Sequence, residues 1–214
     1  MLNLIFDLDG TLIDSRLRLY TLFQHLVPTS VFSYEAYWER KQNKISHQDI
    51  LQNELNYSPE KIQRFHKDWM ALIETDDFLS LDKAFDAIHV FLQGLLPFAN
   101  LYVCTARQNR LAVHAQLEDL QLKHFFTDIL VTEQIKTKEF LIKNAIHTLS
   151  QKDWMIGDTG KDIQAGKMLK IRTCAVLSGF LNEKSLLPYQ PDYIIPHVIE
   201  FHHLLETCST NSCI

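Results

Sequence analysis

Leu2-Asn3-Leu4-Ile5-Phe6-Asp7-Leu8-Asp9-Gly10-Thr11 is the stretch from which the architecture of the chain can be read. A short apolar run is cut off by two carboxylates and a glycine, which predicts a buried strand that opens into a loop. Runs of the same kind recur downstream. Leu101-Tyr102-Val103-Cys104 stops at Thr105, Ile129-Leu130-Val131 at Thr132, and Trp154-Met155-Ile156 at Gly157-Asp158. Thr173-Cys174-Ala175-Val176-Leu177 ends at Ser178-Gly179, and Tyr193-Ile194-Ile195 is a sixth candidate. Between them lie helical segments with apolar spacing of three and four: Leu111, His114, Ala115, Leu117 and Leu120; Phe140, Leu141, Ala145, Ile146 and Leu149; Ile163, Ala165, Gly166 and Leu169. Short apolar strands alternating with helices mean βαβ units and a parallel sheet. The expected class is α/β, a Rossmann-like parallel sheet flanked by helices.

One region breaks the alternation. Residues 15–81 show helical patterns and no convincing strand. Ser33 is placed to cap a helix through Arg40, and Ser58-Pro59-Glu60 combines a capping hydroxyl with Pro at the first helical position. A block this long is no loop. It predicts an inserted helical lobe over 15–81, with residues 1–14 and 82–214 forming the α/β core.

The chain has 214 residues, 46% hydrophobic and 22% charged, enough to bury a core, which excludes disordered and fibrous classes. Net charge is -5 without a basic run, a poor basis for binding nucleic acid. No apolar stretch reaches the ~18 residues of a membrane span. Cys104, Cys174, Cys208 and Cys213 form no CxxC pair or dense framework, which favours a reducing, cytoplasmic setting.

The strand ends carry the chemistry. Open parallel sheets bind ligands at the carboxyl ends of their strands, and here those ends bear Asp7 and Asp9, Thr105, and Asp158, with Asp162 one helical turn further on. Such carboxylates repel one another unless a cation neutralises them. A few hard oxygen ligands describe Mg²⁺ rather than Zn²⁺. Side chains two apart in an extended segment point the same way. Asp7 and Asp9 can therefore face one ligand, one attacking phosphorus while the other protonates the leaving oxygen. Gly10 permits a sharp turn, and the Thr11 hydroxyl is expected to bond back to the loop. Lys136 and Lys138 begin the helix before the Asp158 strand and can offset phosphate charge.

These residues resemble a known family. Asp7-Leu8-Asp9-Gly10-Thr11, with Leu12-Ile13-Asp14-Ser15 behind it, is similar to the first motif of the haloacid dehalogenase superfamily, in particular its phosphoglycolate phosphatase-like branch. Val103-Cys104-Thr105 resembles the second motif, and Gly157-Asp158-Thr159-Gly160-Lys161-Asp162-Ile163-Gln164-Ala165-Gly166 the fourth. The resemblance implies Asp7 as nucleophile, Asp9 as general acid and base, and Thr105 with the N–H of Ala106 as phosphate ligands beside Gly10. It implies Mg²⁺ held by Asp7, Asp158 and the backbone carbonyl of Asp9, with Asp162 steadying the site. The third motif is a lysine. Its usual Lys-Pro pair is missing, and Lys138 is preferred over Lys136 because it directly precedes the apolar helix pattern. Asp9 favours phosphoryl transfer over carbon–halogen cleavage.

The expected activity is thus Mg²⁺-dependent hydrolysis of a small phosphorylated metabolite through an aspartyl phosphate, with no nucleic-acid or membrane partner. A phosphomutase of the β-phosphoglucomutase type, and a non-catalytic binding protein on the same scaffold, are the alternatives. The resemblance makes the inserted lobe a helical cap that selects the leaving group. Tyr37, Trp38 and Trp69 are read as lobe core, Arg16 and Arg18 as surface charges in preference to contacts with an anionic substrate, and Arg107 as touching either substrate or an acid.

Overall fold

In the computed structural model residues 1–210 are described, the side chains of 207–210 excepted, so the thiols of Cys208 and Cys213 lie outside the described residues. The strands are β1 (Leu2–Phe6), β2 (Ile13–Asp14), β3 (Lys83–Ala84), β4 (Ala99–Thr105), β5 (Asp128–Val131), β6 (Trp154–Gly157), β7 (Arg172–Val176) and β8 (Tyr193–Ile195). Six of them form one parallel sheet in the order β5-β4-β1-β6-β7-β8, as the alternation of the sequence predicts. β1 is central and Leu4 is in register with both Leu101 and Trp154.

Residues of β1 are buried on both faces, as a parallel strand requires. Leu4 and Phe6 join Val103, Ile156, Phe91 and Leu117 on one side; Ile5 joins Cys104, Met155 and Ile142 on the other.

The sheet is interrupted after Phe6. The intervening helices are α1 (Arg16–Leu26), α2 (Tyr34–Gln42), α3 (His47–Asp49), α4 (Pro59–Leu72) and α5 (Asp76–Leu79), with one π-turn at Ile50–Glu54. The capping signals act as read: Ser33 accepts from the Ala36 N–H and Ser58 from the Lys61 N–H. These helices close around their own apolar cluster of Phe23, Tyr37, Trp38, Ile50 and Phe65. The chain leaves and re-enters the α/β body through β2 and β3, an antiparallel ribbon with Ile13 opposite Ala84. Two-residue strands carry no periodicity, so the sequence pattern does not show them.

The remaining helices, α6 (Ile88–Leu95), α7 (Arg110–Asp119), α8 (Lys138–Ala145), α9 (Gly160–Leu169), α10 (Glu183–Leu186) and α11 (Phe201–Thr210), cover the sheet and its ends. No helix among the described residues is long and apolar enough to cross a membrane.

Candidate active site

The strand order reverses around β1: β4 and β5 extend to one side, β6 to β8 to the other. Ligand crevices of doubly wound sheets form at such a switch point. Here it gathers Asp7 beyond β1, Thr105 at the end of β4 and Asp158 beyond β6. The Asp7 N–H donates to the Ile156 carbonyl at 2.8 Å, which ties the two acidic loops together. Gly10 turns with φ 75°, and a Cβ there would lie 2.5 Å from Asp158 Oδ2 and 2.7 Å from Gly179 Cα. Only glycine lets the first loop pass this close to the second.

Lys138 is the first residue of α8, and its helix is capped by Thr137, which accepts from the Phe140 N–H. Its buried Nζ sits 2.7 Å from Asp7 Oδ1 and 2.6 Å from Asp162 Oδ1. Lys136 instead is exposed, its Nζ 5.8 Å from the Phe140 ring centre. Asp162 is fixed from its second oxygen, which accepts from the Thr159 N–H at 3.0 Å and the Thr159 hydroxyl at 2.7 Å.

Asp7, Asp158 and Asp162 each present a carboxylate oxygen within 4.8 Å of the others, all three residues buried. Burial, then the neighbouring Asp162 charge, raises Asp7 to about 7 although Lys138 opposes the shift. Burial and the charges of Asp7 and Asp162 push Asp158 well above the usual carboxylate range. Burial alone would lower the Lys138 pKa, but Asp162 and Asp7 outweigh it and keep the ammonium charged. One lysine against three carboxylates leaves negative charge uncompensated in a low-dielectric site. Asp158 Oδ2 accepts from the Phe180 N–H at 2.6 Å, while Oδ1 is buried without a partner. A buried carboxylate oxygen left unbonded is costly, and an all-oxygen donor set suits a hard cation. The cluster can hold one.

Asp9 faces away from this group. Its carboxylate takes a two-point contact from Arg107, Nε to Oδ2 at 2.7 Å and Nη2 to Oδ1 at 2.7 Å. Arg18 Nη2 donates to the same Oδ1. Burial would raise the Asp9 pKa, but the Arg107 and Arg18 guanidiniums outweigh it and hold the carboxyl well below its ordinary range. Both arginines also reach Asp82, Arg18 Nε at 2.9 Å and Arg107 Nη2 at 3.0 Å. Gln116 completes the network, accepting from Arg107 at 2.9 Å and donating to Asp82 at 2.8 Å. Within the acidic cluster Asp9 therefore has only its backbone to offer a metal.

Two expectations need correction here. Arg18 is a buried ion-pair residue, 2% exposed, because α1 turns it inward onto Asp9 and Asp82; Arg16 pairs with Asp14 at 2.6 Å. The Thr11 hydroxyl is buried without a partner. The backbone closes that turn instead, with the Leu8 carbonyl accepting from the N–H groups of Thr11, Leu12 and Ile13. Of the two possibilities for Arg107, pairing with acids is the one observed. Asp82 and Gln116 were not singled out from the sequence, where neither belongs to a motif.

Thr105 is buried, its hydroxyl accepting from the Arg107 N–H at 3.4 Å, and the Ala106 carbonyl accepts from Gln134 Nε2 at 2.7 Å. A cavity of about 450 Å³ opens above Asp7, Thr105 and Lys138 and runs up to the helical lobe. Hydrogen bonds join lobe and α/β body on both sides of it. The Gln42 carbonyl accepts from the Asn182 N–H at 3.2 Å and the Ser185 hydroxyl at 2.9 Å. Glu74 accepts from the N–H groups of Gln108 at 2.9 Å and Asn109 at 2.8 Å. Trp69 does more than fill the lobe core: it packs against His47 and Phe65 and also lines the cavity.

Residues 4–176 match the model of the haloacid dehalogenase-like hydrolase family. The chain belongs to that family. This haloacid dehalogenase-like hydrolase is 25% identical to pyrophosphatase PpaX of Oceanobacillus iheyensis over 92% of each chain. It shares its fold with a provisionally assigned phosphatase of Clostridium difficile, at 19% identity and a TM-score of 0.76 over 94% of this chain and 97% of that one. A haloacid dehalogenase-like family hydrolase of Streptococcus pneumoniae superposes with a TM-score of 0.71 at 23% identity, over 96% and 98% of the two chains.

Proposed function

We propose that this hydrolase is a Mg²⁺-dependent phosphatase that cleaves a small phosphomonoester through an aspartyl phosphate on Asp7. The observation that carries the reading is the arrangement around Asp7: a lysine ammonium at 2.7 Å, two further carboxylates, and an Asp158 oxygen with no protein partner. An electrophile with negative oxygens, a phosphoryl group, is what such a nucleophile, ammonium and cation site would serve together.

Asp7, Asp158 and the Asp9 carbonyl would hold Mg²⁺, with Asp162 as a support. Bound there, the ion neutralises the acidic cluster and the phosphoryl oxygens. An Asp7 oxygen attacks phosphorus, the ester P–O bond breaks, and the leaving oxygen keeps the electron pair and takes a proton from Asp9. Asp9 then removes a proton from water, which attacks phosphorus and frees Asp7 and inorganic phosphate. Thr105 and the Ala106 N–H would position the phosphoryl group, and Lys138 would keep Asp7 ionised and aimed. The Arg107 and Arg18 guanidiniums favour the ionised form of the Asp9 carboxyl, the form that takes a proton from water in the second step. The helical lobe would serve as a cap that excludes water and selects the leaving group.

Release of phosphate from p-nitrophenyl phosphate, with Mg²⁺ and with chelator, tests this reading alongside Asp7→Asn. Turnover that needs Mg²⁺ and falls by about 10³-fold or more in the variant is expected. Turnover retained by Asp7→Asn would overturn the nucleophile assignment.

A further inference from the structure

We infer that the leaving group of this enzyme is an apolar, ring-sized organic body and not a second phosphate; this rests on the phosphatase reading above. The cavity of about 450 Å³ beyond Asp7 lies in the ~300–1,000 Å³ range of pockets built for whole organic ligands. Its walls above the phosphoryl end are Leu19, Trp69, Met70, Ile73, Phe180 and Leu181. Three of these come from α4 and the residue that follows it, so one face of the lobe is presented to whatever leaves. An indole edge with neighbouring aliphatic and aromatic side chains stabilises an apolar ring by burial and stacking.

The charges in the same cavity point the same way. A diphosphate brings a second, strongly hydrated anion that must find replacement donors. The Arg18 guanidinium is taken by Asp82, the Ile73 carbonyl and Asp9. That of Arg107 is taken by Asp9, Gln116 and Asp82. Lys138 lies between Asp7 and Asp162. Among the lining residues the remaining cations are Lys44 and Lys161, and one of the three Lys44 donors goes to the Tyr189 hydroxyl at 2.6 Å. Glu74 adds a negative charge to the same wall. A second phosphate would meet two exposed lysines, Lys44 and Lys161, and otherwise mostly apolar surface, whereas the hydrocarbon face of an organic ester meets its complement. The sequence likeness to PpaX therefore does not extend to the group that leaves.

The test has a kinetic arm and a binding arm. Initial rates with Mg²⁺ are compared for phenyl phosphate, glycerol phosphate and inorganic pyrophosphate. Phenyl phosphate is expected to have the highest kcat/KM, by about tenfold over each of the others. Trp69→Ala should remove most of that preference by raising KM for phenyl phosphate more than for glycerol phosphate, and Trp69→Phe should restore it. Because Trp69 also packs on His47 and Phe65, Met70→Gln serves as a second variant. Met70 is 39% exposed, so its substitution is expected to leave the fold intact, with a smaller loss of the same preference.

In the binding arm, calorimetry at saturating Mg²⁺ compares phenylphosphonate with methylenediphosphonate, neither of which can be hydrolysed at phosphorus. Tighter binding of phenylphosphonate, by about tenfold, supports the inference. Equal or tighter binding of the diphosphonate, or a kcat/KM for pyrophosphate at or above that of phenyl phosphate, overturns it. If no ester is hydrolysed at all, the phosphatase reading fails, and the binding arm still decides which group the cavity takes.

Discussion

Asp9 and Arg107 belong to different loops, one after β1 and one after β4, yet form a two-point ion pair with both contacts at 2.7 Å. The pair is the hub of a buried network: Arg18 adds a third contact to Asp9, and both arginines share Asp82. Removing Arg107 leaves two buried carboxylates to share the single charge of Arg18. Arg107→Met is expected to cost about 3–5 kcal/mol of stability. Arg107→Lys should fall between it and the parent, since an ammonium cannot reproduce the fork. Urea unfolding measures both, and a loss below about 1 kcal/mol for Arg107→Met would show that the network is not stabilising.

Lys138 and Lys136 stand two residues apart and differ in every relevant respect. Lys138 is buried between Asp7 and Asp162, while Lys136 lies on the surface against Phe140. Lys138→Met should lower kcat toward p-nitrophenyl phosphate by about 10²-fold or more. Lys136→Met should stay within about twofold. Equal losses in both variants would refute the assignment.

Metal and pH act on the same carboxylates. The Asp7 pKa is raised from 3.8 to about 7 in the fold without a cation. A raised carboxyl pKa contributes stability that is fully present below 3.8 and is lost as pH rises through about 7. Chelator-treated protein should thus be less stable at pH 8 than at pH 5. On the proposed reading Mg²⁺ would bind the ionised carboxylates, so its stabilisation should be larger at pH 8. At about a hundredfold over its Kd the rise in Tm should be roughly 5–10 °C. A Mg²⁺ shift that does not grow between pH 5 and pH 8 would contradict this.

His47 sits in the lobe among the rings of Phe23, Phe65 and Trp69, with Tyr37 Oη 2.8 Å from its Nε2. Burial first, then the positive charges of Lys41 and His66, holds its pKa well below 6.5. The unfolded chain therefore takes up a proton that the fold refuses. The stability that His47 contributes is complete above pH 6.5 and declines below it, at no more than about 1.4 kcal/mol per pH unit. At saturating Mg²⁺, which would suppress the opposing Asp7 contribution, the change in Tm from pH 7 to pH 5 should be more favourable in His47→Gln than in the parent. An unchanged slope would place the acid sensitivity elsewhere.

The parallel strands were legible because each is a short apolar run closed by a polar residue, and the parallel sheet follows from helices lying between them. The acidic cluster was legible because Asp7, Asp158 and Asp162 lie at strand ends or one turn beyond. What escaped notice depends on long-range pairing. Arg18 looks like a surface residue in its own helix, and only the return of the chain at Asp82 makes it a buried cation. Likewise β2 and β3 exist because the lobe must begin and end side by side, a constraint of closure that leaves no local pattern.

The central position of β1 has a consequence for the order of folding. Its two neighbours in the sheet, paired as Leu2 with Ala99 and Leu4 with Trp154, are far along the chain, with the whole helical lobe lying between β1 and the nearer of them. Contacts of that range form slowly, because a long loop must close before they contribute. The lobe, held by contacts among its own helices around Phe23 and Phe65, is free to consolidate while β1 waits. In pulse-labelled refolding, amides of α1 and α4 should gain protection before those of β1, and the acidic crevice should assemble last, as the sheet closes around its middle strand.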